Sequence, residues 1–108
     1  MPTDTLDRLS ATIRARRADQ ATHSYTRQLL EGGAERCAKK LGEEAVEVVI
    51  ATVLQADDAV KAEAADLLYH LLVVLEVRNI PLGDVLAVLE GRMGTSGLDE
   101  KAARKTGA

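Results

Sequence analysis

Residues 39–51 read KKLGEEAVEVVIA and residues 63–75 read EAADLLYHLLVVL. In each segment two acids stand three residues apart, Glu44 with Glu47 and Glu63 with Asp66, at the near edge of apolar runs covering 41–54 and 64–77. Residues three apart on a helix share a face, so each pair points two carboxylates the same way. Two such helices side by side gather four acids. Carboxylates crowded against an apolar core repel one another and resist desolvation unless cations hold them. The pattern predicts a helical hairpin carrying a hard-metal site, with Glu44, Glu47, Glu63 and Asp66 as ligands.

Reading outward, the rest is helical too. Leu6, Leu9 and Ile13 form an i, i+3, i+7 stripe, predicting an amphipathic helix over 3–19 with Thr3 or Asp4 at its start. Residues 18–24 form a connector whose His23, with Tyr25 just beyond, reads as surface. Ser24 is placed to cap a short helix over 25–31, and Gly32-Gly33 ends it. The next helix spans 34–55, with Ala38, Leu41, Ala45, Val48 and Val49 on its core side. Asp57 or Asp58 then caps a helix reaching Arg78, with Leu67, Leu68, Leu71, Leu72 and Leu75 as its core stripe. Pro81 suits the first position of a last helix, which carries Leu82, Val85, Leu86 and Leu89 and ends near Gly94. No strand-like alternation occurs, so the fold class is all-α. Residues 1–94 form one domain and 95–108 a polar tail.

The apolar fraction is 46% but aromatics are only 2%, so the core must be built from aliphatic side chains. The far ends of both long helices are apolar all round, more surface than 108 residues can cover. The surplus predicts a homodimer or dimer-based homo-oligomer, completing a bundle. A net charge of −3 argues against a general nucleic-acid binder. The single cysteine, Cys37, rules out an internal disulfide and a multi-thiolate zinc site, and reads as a small buried hydrophobe. No signal peptide or membrane-spanning run is present, and the expected location is cytoplasmic.

Cations flank the acids. On a helical wheel Arg36, Lys40, Glu43, Glu44 and Glu47 fall within an arc of roughly 100°. A basic ladder of Arg36 and Lys40, with Lys39 beside it, leading into an acidic cluster suits a polyphosphate. Mg²⁺ is commonly held by a few carboxylates plus substrate phosphates, and a bound divalent cation acidifies water. Glu43 is placed to orient that water or act as a base, with Glu44 and Glu47 completing the catalytic set. His70, one turn after Asp66, reads as a hydrogen-bonded core or interface histidine, and Tyr69 as a packed ring with its hydroxyl at a rim. There is no Gly-rich phosphate loop.

The two quoted strings, together with SYTRQLLEGG (24–33), NIPLGDVLAVLEGR (79–92) and SGLDEKAARK (96–105), closely resemble the phosphoribosyl-ATP pyrophosphatase family of histidine biosynthesis. That family sits among the MazG-like all-α nucleotide pyrophosphatases, whose signature is E-x-x-E followed by E-x-x-D. The resemblance implies Mg²⁺-dependent hydrolysis of phosphoribosyl-ATP between the α and β phosphates, giving phosphoribosyl-AMP and pyrophosphate. It makes Glu44, Glu47, Glu63 and Asp66 the metal ligands and Lys40, Lys39 and Arg36 phosphate-binding. It covers 24–105 and leaves 1–23 without a match. Selectivity over ATP is expected to involve tail residues Lys101, Arg104 or Lys105. Two other readings stay open: a house-cleaning pyrophosphatase of the same superfamily acting on a non-canonical or deoxynucleoside triphosphate, and a non-catalytic helical dimerisation module.

Overall fold

A computed structural model describes residues 2–19 and 24–93, with side chains from residue 5. These residues form five helices and no strand: α1 (Pro2–Ala18), α2 (Tyr25–Glu31), α3 (Gly33–Leu54), α4 (Asp57–Val77) and α5 (Leu82–Arg92). The all-α expectation holds. His23 and the tail residues singled out above lie outside the described residues.

Local chemistry sets the boundaries. The Ser24 hydroxyl accepts the Arg27 backbone N–H at 3.0 Å, the cap expected of it. Gly33 has φ +82°, a left-handed conformation that separates α2 from α3 and is open to glycine at least cost. Between α3 and α4 only Gln55 and Ala56 intervene, both extended. That two-residue turn makes α3 and α4 an antiparallel hairpin. The cap of α4 is Ala56, not Asp57 or Asp58, and it lends no side-chain hydrogen bond. Both aspartates fall in the first turn instead, where they complement the helix dipole. Pro81 is likewise at the N-cap of α5 and not its first residue.

The end of α4 is the most elaborately closed. Asn79 takes φ 58°, the Ile80 N–H bonds Leu75 O at 2.9 Å, and the Asn79 N–H bonds Glu76 O at 3.0 Å. This is a Schellman closure with asparagine in place of the usual glycine. Arg17 of α1 locks it from outside. Its Nη1 donates to Glu76 O and Glu76 Oε2, each at 2.9 Å, and to Asn79 Oδ1 at 3.0 Å.

The core lies at the open end of the hairpin, where α1 and α2 pack on it. Ile13, Leu29, Leu30, Cys37, Leu72 and Val73 are buried, with Leu6, Leu9, Tyr69, Val74, Leu75, Val77 and Leu82 packed around them. The stripe read on α1 and the buried cysteine are therefore in place. Two other stripes are rotated from expectation. On α3 the inward arc runs Cys37, Leu41, Glu44, Val48 and Ala51, whereas Ala38 is exposed and Val49 is 62% exposed. On α4 the inward residues include His70 and Val73, while Leu68 and Leu71 face outward. The reason is shared. Apolar character runs all round these helices, so hydropathy fixes no single face.

Near the turn, Val46, Val49, Ile50, Val53 and Leu54 are exposed in the single chain, with Ala51 alone fully buried. A single protomer leaves this end largely uncovered.

Candidate metal centre

The rotated arc of α3 is what builds the site. Because Glu44 lies on the same inward line as Cys37, Leu41, Val48 and Ala51, its carboxylate faces α4 and is only 16% exposed. The short turn sets α4 antiparallel, so Glu63 and Asp66, one helical turn apart, meet it. Glu44, Glu63 and Asp66 each offer a carboxylate oxygen, and these atoms all lie within 4.8 Å of one another. Three hard oxygen donors so close suit a hard divalent cation, and do not suit a soft metal that prefers thiolate or imidazole.

Electrostatics agree with the geometry. The Glu63 carboxyl is raised above its ordinary value, first by desolvation and then by the neighbouring charges of Asp66, Glu47 and Glu44. Glu47 therefore acts on the cluster electrostatically, although it stands outside the close triad and is exposed.

The cations line up on the other side of Glu44. Lys40 Nζ is 4.0 Å from a Glu44 oxygen and 3.7 Å from a Glu43 oxygen. Lys40 and Glu43 are also part of the wall of an open groove of about 540 Å³, completed by Gly32, Glu35, Arg36 and Lys39. Arg36 lies across the α2–α3 bend, so close that a Cβ on Gly32 would come within 2.3 Å of Arg36 Cδ. Arg36 and Lys39 make no ion pair with a carboxylate among the described residues. The structure thus brings Arg36, Lys39, Lys40 and Glu43 to one groove, and Glu44, Glu63 and Asp66 to one cluster at its edge.

Behind the cluster sits a ring assembly. His70 is buried, as read from the sequence, with Nδ1 2.8 Å from Asp66 O and Nε2 3.1 Å from the Tyr25 hydroxyl. Tyr69 meets His70 edge-on at 4.9 Å between centroids and stacks near Tyr25 at 6.3 Å. Its hydroxyl bonds Thr26, and burial raises its pKa. The reading of Tyr25 as merely surface needs correction: half of it is exposed, but its hydroxyl ends on His70. Position alone gave no clue, because the contact spans 45 residues of sequence. Cys37 donates to Leu29 O at 3.2 Å, and burial pushes its thiol up, the behaviour of a structural cysteine.

Comparison with known proteins now bears on this arrangement. The family model described as phosphoribosyl-ATP pyrophosphohydrolase matches residues 6–93, so the helix left unmatched in the sequence reading belongs to the family pattern. The phosphoribosyl-ATP pyrophosphatase of Agrobacterium fabrum is 56% identical over 101 residues, 94% of each chain. Phosphoribosyl-ATP pyrophosphatase 1 of Bradyrhizobium diazoefficiens is 55% identical over 105 residues, 97% of this chain and 99% of that protein. The corresponding protein of Rhizorhabdus wittichii is 53% identical over the same length, with the same coverage. Matched along nearly its whole length, and with an acidic hairpin beside a basic groove, this chain belongs to the phosphoribosyl-ATP pyrophosphohydrolase family.

Proposed function

We propose that the chain hydrolyses phosphoribosyl-ATP to phosphoribosyl-AMP and pyrophosphate in histidine biosynthesis, with Mg²⁺ held by Glu44, Glu63 and Asp66 and with Glu47 as a further ligand. The carrying observation is the close carboxylate triad at the edge of a groove with three basic side chains. Bound there, Mg²⁺ supplies charge neutralisation on the phosphate oxygens and activates water. The protein's own residues do the rest. Arg36 and Lys39, which make no ion pair with a carboxylate among the described residues, are available to phosphate oxygens along the groove. Lys40 completes the anion site from beside the metal ligands. Its pKa is raised above the ordinary lysine value, by Tyr25 first and then by Glu43. Glu43, 3.7 Å from Lys40, is placed to orient the attacking water and take its proton.

The exposed apolar residues of α3 and α4 form the interface of a homodimer in this reading. A radius of gyration of 16.1 Å supports it, since a compact chain of this length has about 13 Å. No helix among the described residues is long and apolar enough to cross a membrane.

Pyrophosphate release from phosphoribosyl-ATP, measured against dCTP and dUTP with Mg²⁺ present, tests the substrate. Clear preference for phosphoribosyl-ATP is expected; preference for a deoxynucleotide would assign the house-cleaning activity instead.

A further inference from the structure

The groove beside the metal cluster is larger than gripping a triphosphate requires. Its volume of about 540 Å³ falls in the range that takes a whole organic ligand. Its wall is made by Gly32, Glu35, Arg36, Lys39, Lys40 and Glu43. None of these belongs to the carboxylate triad, so the groove runs away from the metal ligands along the first turns of α3. Distance along that helix separates its cations. Lys40 stands one turn before Glu44, with Nζ 4.0 Å from a Glu44 oxygen and 3.7 Å from a Glu43 oxygen. Arg36 stands two turns before Glu44, about 12 Å along the axis at the helical rise. Charges that far apart in an open groove are largely screened at physiological salt, where the Debye length is about 8 Å. Lys39, three residues on from Arg36, shares its face, and neither makes an ion pair with a carboxylate among the described residues. Glu35 stands in the same wall. A carboxylate there repels a continuous polyphosphate but accepts sugar hydroxyls. This end of the groove therefore suits a single phosphate carried on a sugar.

Phosphoribosyl-ATP is anionic at both ends: the triphosphate at one, and at the other the phosphate on the ribose joined to its base. We propose that Arg36 and Lys39 bind that far phosphate while Lys40 and the metal hold the triphosphate, so that the groove measures the length of the substrate. This rests on the pyrophosphatase reading above and gives it a basis for selectivity, since ATP lacks the far phosphate. Arg36 offers the planar fork that reads a phosphate bidentately, and its stem lies against Gly32 at the α2–α3 bend, which sets its position.

The test is calorimetry on the full chain with Mg²⁺ and three probes. Phosphoribosyl-AMP has the far phosphate, AMP lacks it, and inorganic tripolyphosphate offers only the anhydride chain. The wild type should bind phosphoribosyl-AMP at least about tenfold more tightly than AMP, the scale of one hydrogen bond between charged groups. Arg36→Met and Lys39→Met should each weaken phosphoribosyl-AMP about tenfold and change AMP and tripolyphosphate by less than about twofold. Lys40→Met should instead weaken tripolyphosphate about tenfold. Arg36→Lys, which keeps the charge but not the fork, should recover part of the loss. Equal affinity of the wild type for phosphoribosyl-AMP and AMP, no loss in the Arg36 and Lys39 variants, or an equal loss for all three probes would overturn the assignment. If phosphoribosyl-ATP is still the preferred substrate of the wild type in those cases, the activity stands and the far-phosphate site alone falls. Preference for a deoxynucleotide overturns the activity itself.

Discussion

At the scale of single residues, Glu63 is where the metal claim meets titration. Its folded-state pKa is raised above the ordinary 4.5, so the metal-free folded chain resists ionising it. Below the ordinary value the group is protonated in both states and exerts no penalty. As pH rises through the raised value, folding stability falls, and at neutral pH the penalty is fully present. Glu63→Gln is therefore expected to raise the melting temperature of metal-free protein at pH 7 and to leave it unchanged near pH 3.5. With excess Mg²⁺ the order should reverse, since the wild type alone gains from ligation. Differential scanning at the two pH values, with and without Mg²⁺, checks both signs. Gly32 and Gly33 give a second contrast. At Gly33 nothing lies within 4 Å of an added Cβ, but φ is +82°, so Gly33→Ala should lose about 1–2 kcal/mol in chemical denaturation. At Gly32 the backbone is ordinary and the obstacle is Arg36. Gly32→Ala should therefore shift Arg36, raise KM severalfold and leave stability within about 0.5 kcal/mol.

At the scale of elements, the hairpin and its closure hold the site in register. Asn79 combines a left-handed backbone with an acceptor for Arg17, which ties α1 to the end of α4. Asn79→Ala removes both favourable features and should cost about 1–2 kcal/mol in denaturant titration, with Arg17→Ala adding less in that background than alone. Sequence pattern reached the elements themselves: the stripe of Leu6, Leu9 and Ile13, the Ser24 cap and the Gly32-Gly33 break each state a local rule. It reached the acids because E-x-x-E and E-x-x-D place carboxylates by helical geometry alone. The faces of α3 and α4 were beyond it, since Val48 and Val49, or Leu71 and Leu72, are equal in hydropathy and only packing chooses between them. Tyr25 was beyond it as well, because its partner His70 is distant in sequence and close only once α2 lies on α4.

At the scale of the whole molecule, the chain carries two surfaces of opposite kind. One gathers charge around the α3–α4 hairpin and the α2–α3 bend. The other exposes Val46, Val49, Val53, Leu54 and Leu68, apolar side chains that a solitary protomer leaves in water. We propose a second copy of the chain as the cover of these residues. Val49→Glu is expected to convert a dimer to monomer in sedimentation, and to remove the concentration dependence of the wild-type melting temperature. A wild type that sediments as a monomer would contradict this interface. The central claim, that the triad and the groove make a metal-dependent pyrophosphatase, is tested most directly by one paired experiment. Mg²⁺ is titrated into wild type and Glu63→Gln while pyrophosphate release from phosphoribosyl-ATP is followed. The wild type should gain activity with Mg²⁺ occupancy, and Glu63→Gln should fall by at least about 100-fold, equivalent to roughly 3 kcal/mol of transition-state stabilisation. Full Mg²⁺-dependent activity in Glu63→Gln would contradict it.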